Sequence, residues 1–166
     1  MVAVGLAGSR ALAEEFRPLV RRVVAGMVRS GVSCFSVGDA RGADAFARAA
    51  LAAAGSSVRV RVFAPWQGLR TVARLRWRTR QMVASVAAGG VVVVFLGHPG
   101  SRGSVLTCLL ALRRGLRVVA FPCGFPAASL PSLGVGSWVA VGSGVCAGAF
   151  VWHAQNSKTC KGVGTC

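Results

Sequence analysis

Carboxylates are scarce in this chain. Its 166 residues include 4 Asp and Glu against 20 Lys and Arg, a formal charge of +16. The acids are Glu14, Glu15, Asp39 and Asp44, which leaves little room for chemistry built on paired carboxylates. Lysine is also rare, since only Lys158 and Lys161 among the basic residues are not Arg. Ile and Tyr are missing, and Asn156 is the sole Asn. A GC-rich gene accounts for the skew towards Ala, Gly, Arg and Val but not for the missing acids. A polyanionic partner accounts for them, because net charge speaks to association with nucleic acid or membrane rather than to fold.

Other absences narrow the chemistry further. The six Cys, at 34, 108, 123, 146, 160 and 166, form no CxxC pair, and His98 and His153 show no ligand spacing, so no metal is expected. Cys34, Cys108 and Cys146 sit in apolar runs and read as small core residues, whereas Cys160 and Cys166 could pair in the polar tail. Neither GxGxxG nor GxxxxGK[ST] occurs, which argues against an NAD enzyme or a P-loop NTPase, and no cofactor is expected. The start, "MVAVGLAGSR", has no basic region before its apolar residues and makes a poor signal peptide, so free thiols in a cytoplasmic protein are the expectation. No charged residue lies between Arg117 and Lys158. Within that stretch residues 133–151 have about the length of a membrane span and contain Gly144-x-x-x-Gly148, yet they are rich in Gly and Ser and short of Leu and Phe. Closing strands of a buried sheet fit them better.

What remains is a chain that can build a core: 54% hydrophobic, 14% charged, with 22 Gly. Apolar runs at 2–8, 34–38, 58–64, 90–96 and 117–121 read as strands. Between them, residues from about Phe16, then 45–55, 70–88 and 103–115, read as helices. In the first, Leu19, Val20, Val23, Val24, Met27 and Val28 share one face, and Pro18 suits the first turn. The run "GVVVVFL" has the continuous apolarity of a parallel strand covered on both faces. This alternation predicts an α/β fold, a Rossmann-like three-layer α/β/α sandwich with a mostly parallel sheet. "SWVAVG" and "AFVWHA" could add edge strands, and residues 154–166 read as a polar, flexible tail.

Ligands of such sheets bind beyond the C-terminal strand ends. Three turns fall there: "GSR" (8–10), "GDARGAD" (38–44) and "GHPGSRGS" (97–104). Each has glycines that let a ligand approach the backbone, and Arg10, Arg41 and Arg102 supply charge. Glycine also serves tight βα turns, so it is the conjunction of three loops and their arginines that points to an anionic ligand. The third helix adds Arg70, Arg74, Arg76, Arg78 and Arg80 with no acid among them. Arg70, Arg74 and Arg78 stack at i, i+4 and i+8, an arrangement that phosphates would neutralise. Trp66 and Trp77 could stack on bases or pack in the fold.

Taken together, these motifs resemble the SLOG superfamily, the Rossmann-like group that includes the DprA/Smf DNA-processing proteins, the Lonely Guy (LOG) phosphoribohydrolases and the YspA-like nucleotide-sensor domains. "AGSR" is similar to its first-strand element, and "GDARGADAFARAAL" to its G-x-ARG-[IA]-D-x-x-A element. "FAPW" and "RTRQM" resemble the YspA-like pair, with Thr79 where Asn is usual; "PGSRGS" resembles the PGGxGT or SGSL loop. "GSVLTCLLALRRGLRVVAFPCG" is similar to a DprA segment. The resemblance implies a SLOG-type domain over 1–124, with 125–153 as closing strands packed on it. Because such proteins often pair, it also carries the expectation of a homodimer.

The expected ligand is a nucleotide or the phosphate of single-stranded nucleic acid. The candidate phosphate grip comprises Gly8, Ser9 and Arg10, with Gly100, Ser101, Arg102, Gly103, Ser104 and Thr107. Gly38, Arg41, Gly42 and Asp44 form the second loop, where Asp44 is a candidate to meet a ribose hydroxyl; Arg78 is a further candidate for phosphate and belongs with Arg70, Arg74, Arg76 and Arg80 to a basic wall. LOG hydrolases carry a Glu in PGGxGTxxE, and here that position is Thr107. Cleavage through an oxocarbenium-like state needs a carboxylate, so the reading is a non-catalytic binder, in DprA-like DNA processing or YspA-like nucleotide sensing. The alternative is a LOG-like nucleoside-monophosphate phosphoribohydrolase.

Overall fold

The apolar run at 91–96 becomes the middle strand of a seven-stranded sheet, and both of its faces are covered. A computed structural model describes residues 3–65, 67–68 and 71–155. Trp66, Arg70, Lys158, Cys160, Lys161 and Cys166 lie outside the described residues. The elements run β1 (Ala3–Gly8), α1 (Arg17–Arg29), β2 (Cys34–Gly38), α2 (Ala43–Ala53), β3 (Arg59–Phe63), α3 (Thr71–Ala84), β4 (Val91–Leu96), α4 (Arg102–Arg113), β5 (Arg117–Pro122), β6 (Gly136–Ala140) and β7 (Phe150–Ala154). The strand order is β3-β2-β1-β4-β5-β7-β6. The first five strands are parallel, and β7 and β6 close the sheet antiparallel. This is the α/β sandwich that the alternation predicts.

The period of two along β4 explains why its sequence is apolar throughout. Val93 and Phe95 join a core with Val20, Val23 and Val24 of α1 and Phe46 and Leu51 of α2. Val92, Val94 and Leu96 point the other way, to Met82 and Val83 of α3 and Cys108 and Ala111 of α4. Each fully buried Val contributes about 1.5–3 kcal/mol relative to exposure. α1 and α2 therefore cover one face, and α3 and α4 the other.

The uncharged stretch folds as a hairpin. β6 and β7 pair from Gly136↔Ala154 to Ala140↔Phe150, and Trp138 meets Trp152 edge-on at 5.3 Å. In the loop between them Val145 packs on Gly26 of α1, and Cys146 lies against the same core. Among the described residues no helix is long and apolar enough to cross a membrane. The thiols divide differently from the sequence expectation. Cys108 is buried, but Cys34 and Cys146 are only half-buried, and Cys123 is buried at the end of β5. Burial pushes the Cys108 and Cys123 thiols up to about 12, which makes them inert packing groups.

Candidate functional site

The parallel strands β1, β2 and β4 end together, so their following loops share one edge of the sheet. Ser9 ties these loops to one another. Its N–H donates to the Phe95 carbonyl at 2.9 Å, and its carbonyl accepts from Ala43 at 3.1 Å and from Leu12 at 3.2 Å. Its hydroxyl accepts from the Gly97 N–H at 2.8 Å and donates to Ser101 Oγ at 3.4 Å. Ser101 Oγ lies 2.9 Å from Ser104 Oγ in the first turn of α4. The result is a chain of hydroxyls across the loop that begins α4. Ser9, Ser104 and Thr107 are buried, and Thr107 Oγ1 donates back to the Gly103 carbonyl at 2.9 Å.

These groups border a cavity of about 610 Å³. From the expected site it brings together Gly8, Ser9 and Arg10 of the first loop and Gly38 and Asp44 of the second. The third loop contributes Ser101, Arg102, Gly103, Ser104 and Thr107, and α3 contributes Arg76 and Arg78. Arg41, Gly42, Gly100, Arg74 and Arg80 do not line it, and Arg70 lies outside the described residues. Gly42 still shapes the site from behind. At φ 70° and ψ −128° it precedes α2, and a Cβ there would meet the Ser9 and Arg10 carbonyl oxygens at 2.5 Å. Arg74 reaches Gln67 Oε1 at 3.2 Å instead of the cavity.

Several lining residues are additions to the sequence expectation. His98 lies at the border; its Nδ1 accepts from the Gly100 N–H at 2.9 Å, so in the neutral ring the proton sits on Nε2. Val72, Leu75 and Met82 of α3 face Leu106 of α4 and make one wall apolar. A helical stripe of Val, Leu and Met reads as core from sequence, and only the gap between α3 and α4 turns it into a cavity wall. The cavity thus has a hydroxyl-lined side at the start of α4 and an apolar side between α3 and α4.

An ion cluster closes the remaining side. Arg78 Nη1 is 2.7 Å from Asp39 Oδ1 and 3.9 Å from Asp44 Oδ2, and its side chain is only 13% exposed. Arg78 is therefore neutralised locally rather than a free cation of a basic wall. Arg48, four residues beyond Asp44 on α2, donates to the Gly38 carbonyl at 2.6 Å and the Ala40 carbonyl at 3.2 Å. Asp44 packs directly over Gly38, where a Cβ would collide with its Oδ2. Burial raises the Asp44 carboxyl from 3.8 to about 6. Arg78, a hydrogen bond from the Ala40 backbone and Arg48 oppose the rise, while Asp39 adds to it. No group of three or more His, Cys, Asp or Glu among the described residues could hold a metal ion.

No protein-family model matches the chain, and no curated protein matches its sequence. Among solved structures it is similar to the X-ray structure of DNA processing protein A (DprA) from Streptococcus pneumoniae, at 19% identity with a TM-score of 0.60. The match covers 78% of this chain and 53% of that one, so the chain spans about half the length of the protein it matches. At that identity the likeness is one of fold: the α/β architecture described above is shared with that structure.

Proposed function

We propose that this chain is a SLOG-type domain that binds phosphate, of a nucleotide or of single-stranded nucleic acid, and holds it without cleaving it. The observation that carries this reading is the convergence of the Ser9, Ser101 and Ser104 hydroxyls with the start of α4 on one cavity, beside Arg10, Arg76 and Arg102. Backbone N–H groups at a helix start favour an anion, and guanidinium groups recognise phosphate oxygens. The net charge of +16 supports a polyanionic partner. The fold likeness to a DNA processing protein agrees with it.

Position 107 supports a grip over a hydrolase. Thr107 spends its hydroxyl on the Gly103 carbonyl, and α4 offers the cavity no carboxylate. A LOG-like hydrolase would have to run on Asp44, the one carboxylate of the lining.

Native mass spectrometry of the purified protein should show a co-purified nucleotide or oligonucleotide, and it reads the oligomeric state as well. In titrations with labelled oligonucleotide, Arg10→Ala and Arg102→Ala should each weaken binding about tenfold, as expected for loss of a charge-assisted hydrogen bond. Arg41→Ala, whose side chain does not line the cavity, should change it less than threefold. Equal effects from all three variants would sink the pocket reading. Release of free base from nucleoside monophosphates, lost in Asp44→Ala, would replace it with the hydrolase.

A further inference from the structure

The proposed pocket does not use the exposed arginines at the edge of the sheet. β3 is an edge strand, and its first four residues, Arg59, Val60, Arg61 and Val62, are all exposed. Arg59 is in register with Cys34 and Arg61 with Ser36. Residues paired in a parallel ladder share a face, so both arginines stand on the face of Ser36. Ser36 Oγ lies 2.7 Å from Ser85 Oγ at the end of α3, which places the two arginines beside the flank of that helix.

Nothing within the described chain neutralises them. Glu14 pairs with Arg17, and Asp39 and Asp44 are taken by Arg78. The fourth acid, Glu15, is exposed in the short turn before α1. Two like charges two residues apart on one strand repel each other, and a helix or loop that covered this edge would have to bury them. Charge on an edge strand guards it against pairing with another sheet, and with no acid opposite them these two arginines are also open to an external polyanion.

The strand also leads to the pocket. Its last residue, Phe63, is in register with Gly38, and its carbonyl accepts from the Asp39 N–H at 3.2 Å. Gly38 lines the cavity and Asp39 holds Arg78. At about 3.3 Å per residue, Arg61 stands ~7 Å and Arg59 ~13 Å from that rim, measured along the strand. Arg59 and Arg61 are then ~6.6 Å apart, the scale of the phosphate repeat of an extended single strand.

We propose that the β3 edge is a second phosphate-binding station, and that the ligand is a single-stranded nucleic acid with one nucleotide in the cavity and its chain running along β3 past Arg61 and Arg59. This rests on the pocket reading and deepens it, because a mononucleotide held in the cavity cannot reach the edge. Single-stranded nucleic acid fits better than an acidic peptide. Its phosphates are regularly spaced, and one continuous strand would join the two stations.

The test compares a labelled twelve-nucleotide oligo-dT with a labelled mononucleotide by fluorescence anisotropy over a salt series. The Arg59→Thr/Arg61→Thr double variant keeps a strand-favouring side chain at both positions. It should bind the oligonucleotide at least tenfold more weakly and leave mononucleotide binding unchanged. Its log–log salt slope should fall by about 1.4, or roughly 0.7 per lost contact with a single strand. Arg59→Lys/Arg61→Lys keeps the charge and should restore the slope. Oligonucleotide affinity equal to that of the parent in the Thr variant overturns the edge station, as does a parent that binds oligonucleotide no tighter than mononucleotide. Polyglutamate that binds the parent but not the Thr variant, with oligonucleotide binding indifferent to the change, assigns the edge to acidic peptides and also overturns it. If neither nucleic-acid ligand binds the parent, the pocket reading itself fails.

Discussion

Replacing Asp44 with Asn is expected to stabilise the protein at pH 7.5 and to remove a pH dependence that the parent shows between about pH 4 and pH 6. Asp44 is 4% exposed, and burial raises its carboxyl from 3.8 to about 6. The folded state therefore holds this proton more tightly than the unfolded chain does. The stability linked to it is fully present below 3.8, declines as pH rises through the window, and is gone above 6. A gap of that size corresponds to about 3 kcal/mol at neutral pH. Asn is close to the shape of the protonated acid and carries no charge to desolvate. Arg78 keeps Asp39 at 2.7 Å in either case, so the substitution leaves no buried guanidinium unpaired. Thermal melts of parent and Asp44→Asn at about pH 3.5 and pH 7.5, on either side of the window, measure the effect. The two proteins should differ little at the lower pH, and the variant should melt several degrees higher at the upper one. A variant less stable at pH 7.5 would mean that Arg78 and Ala40 more than compensate the burial.

The layers of this fold were legible because their signals are local. The period of 3.6 in Val20, Val23, Val24 and Met27, and the unbroken apolar run of β4, each fix an element without knowledge of its neighbours. The three loops were legible as a set because the parallel alternation alone sends them to one edge. The ion cluster was not legible. Asp39 and Arg78 are 39 residues apart, and nothing in the Arg-rich pattern of α3 distinguishes the arginine that turns inward from Arg74, Arg76 and Arg80. The choice between Arg41 and Arg48 was equally hidden. Arg41 sits in the motif, yet Arg48 reaches the Gly38 and Ala40 carbonyls because α2 starts at Ala43 and turns that position towards the end of β2. The stretch at 133–151 stayed ambiguous for a different reason: hydropathy cannot separate a glycine-rich hairpin from a span. The pairing of Trp138 with Trp152 decides it, and that pairing is tertiary.

Gly42→Ala is expected to cost at least about 3 kcal/mol and to loosen the pocket with it. The residue has φ 70° and ψ −128°, a backbone state that L side chains strongly disfavour. Conformation is only part of the cost. An added Cβ would lie 2.5 Å from both the Ser9 and Arg10 carbonyl oxygens, and backbone atoms on both sides would have to part. Those atoms organise the site. The Ser9 carbonyl accepts from Ala43 at 3.1 Å, the Gly42 carbonyl takes the Phe46 N–H at 2.9 Å as α2 begins, and Ser9 Oγ holds Gly97 at 2.8 Å. Pushing Ser9 away from α2 therefore disturbs the hydroxyl chain to Ser101 and Ser104 as well. Gly31→Ala is the control for a positive φ without a contact. Gly31 also has a positive φ, 88°, but nothing lies within 4 Å of the place a methyl group would take there, so it carries the conformational cost alone, about 1 kcal/mol. Urea melts of the two variants should differ by about 2 kcal/mol or more, with weaker ligand binding confined to Gly42→Ala. Equal losses would show that the contact with Ser9 and Arg10 yields easily, and that the first two loops are joined less tightly than their hydrogen bonds imply.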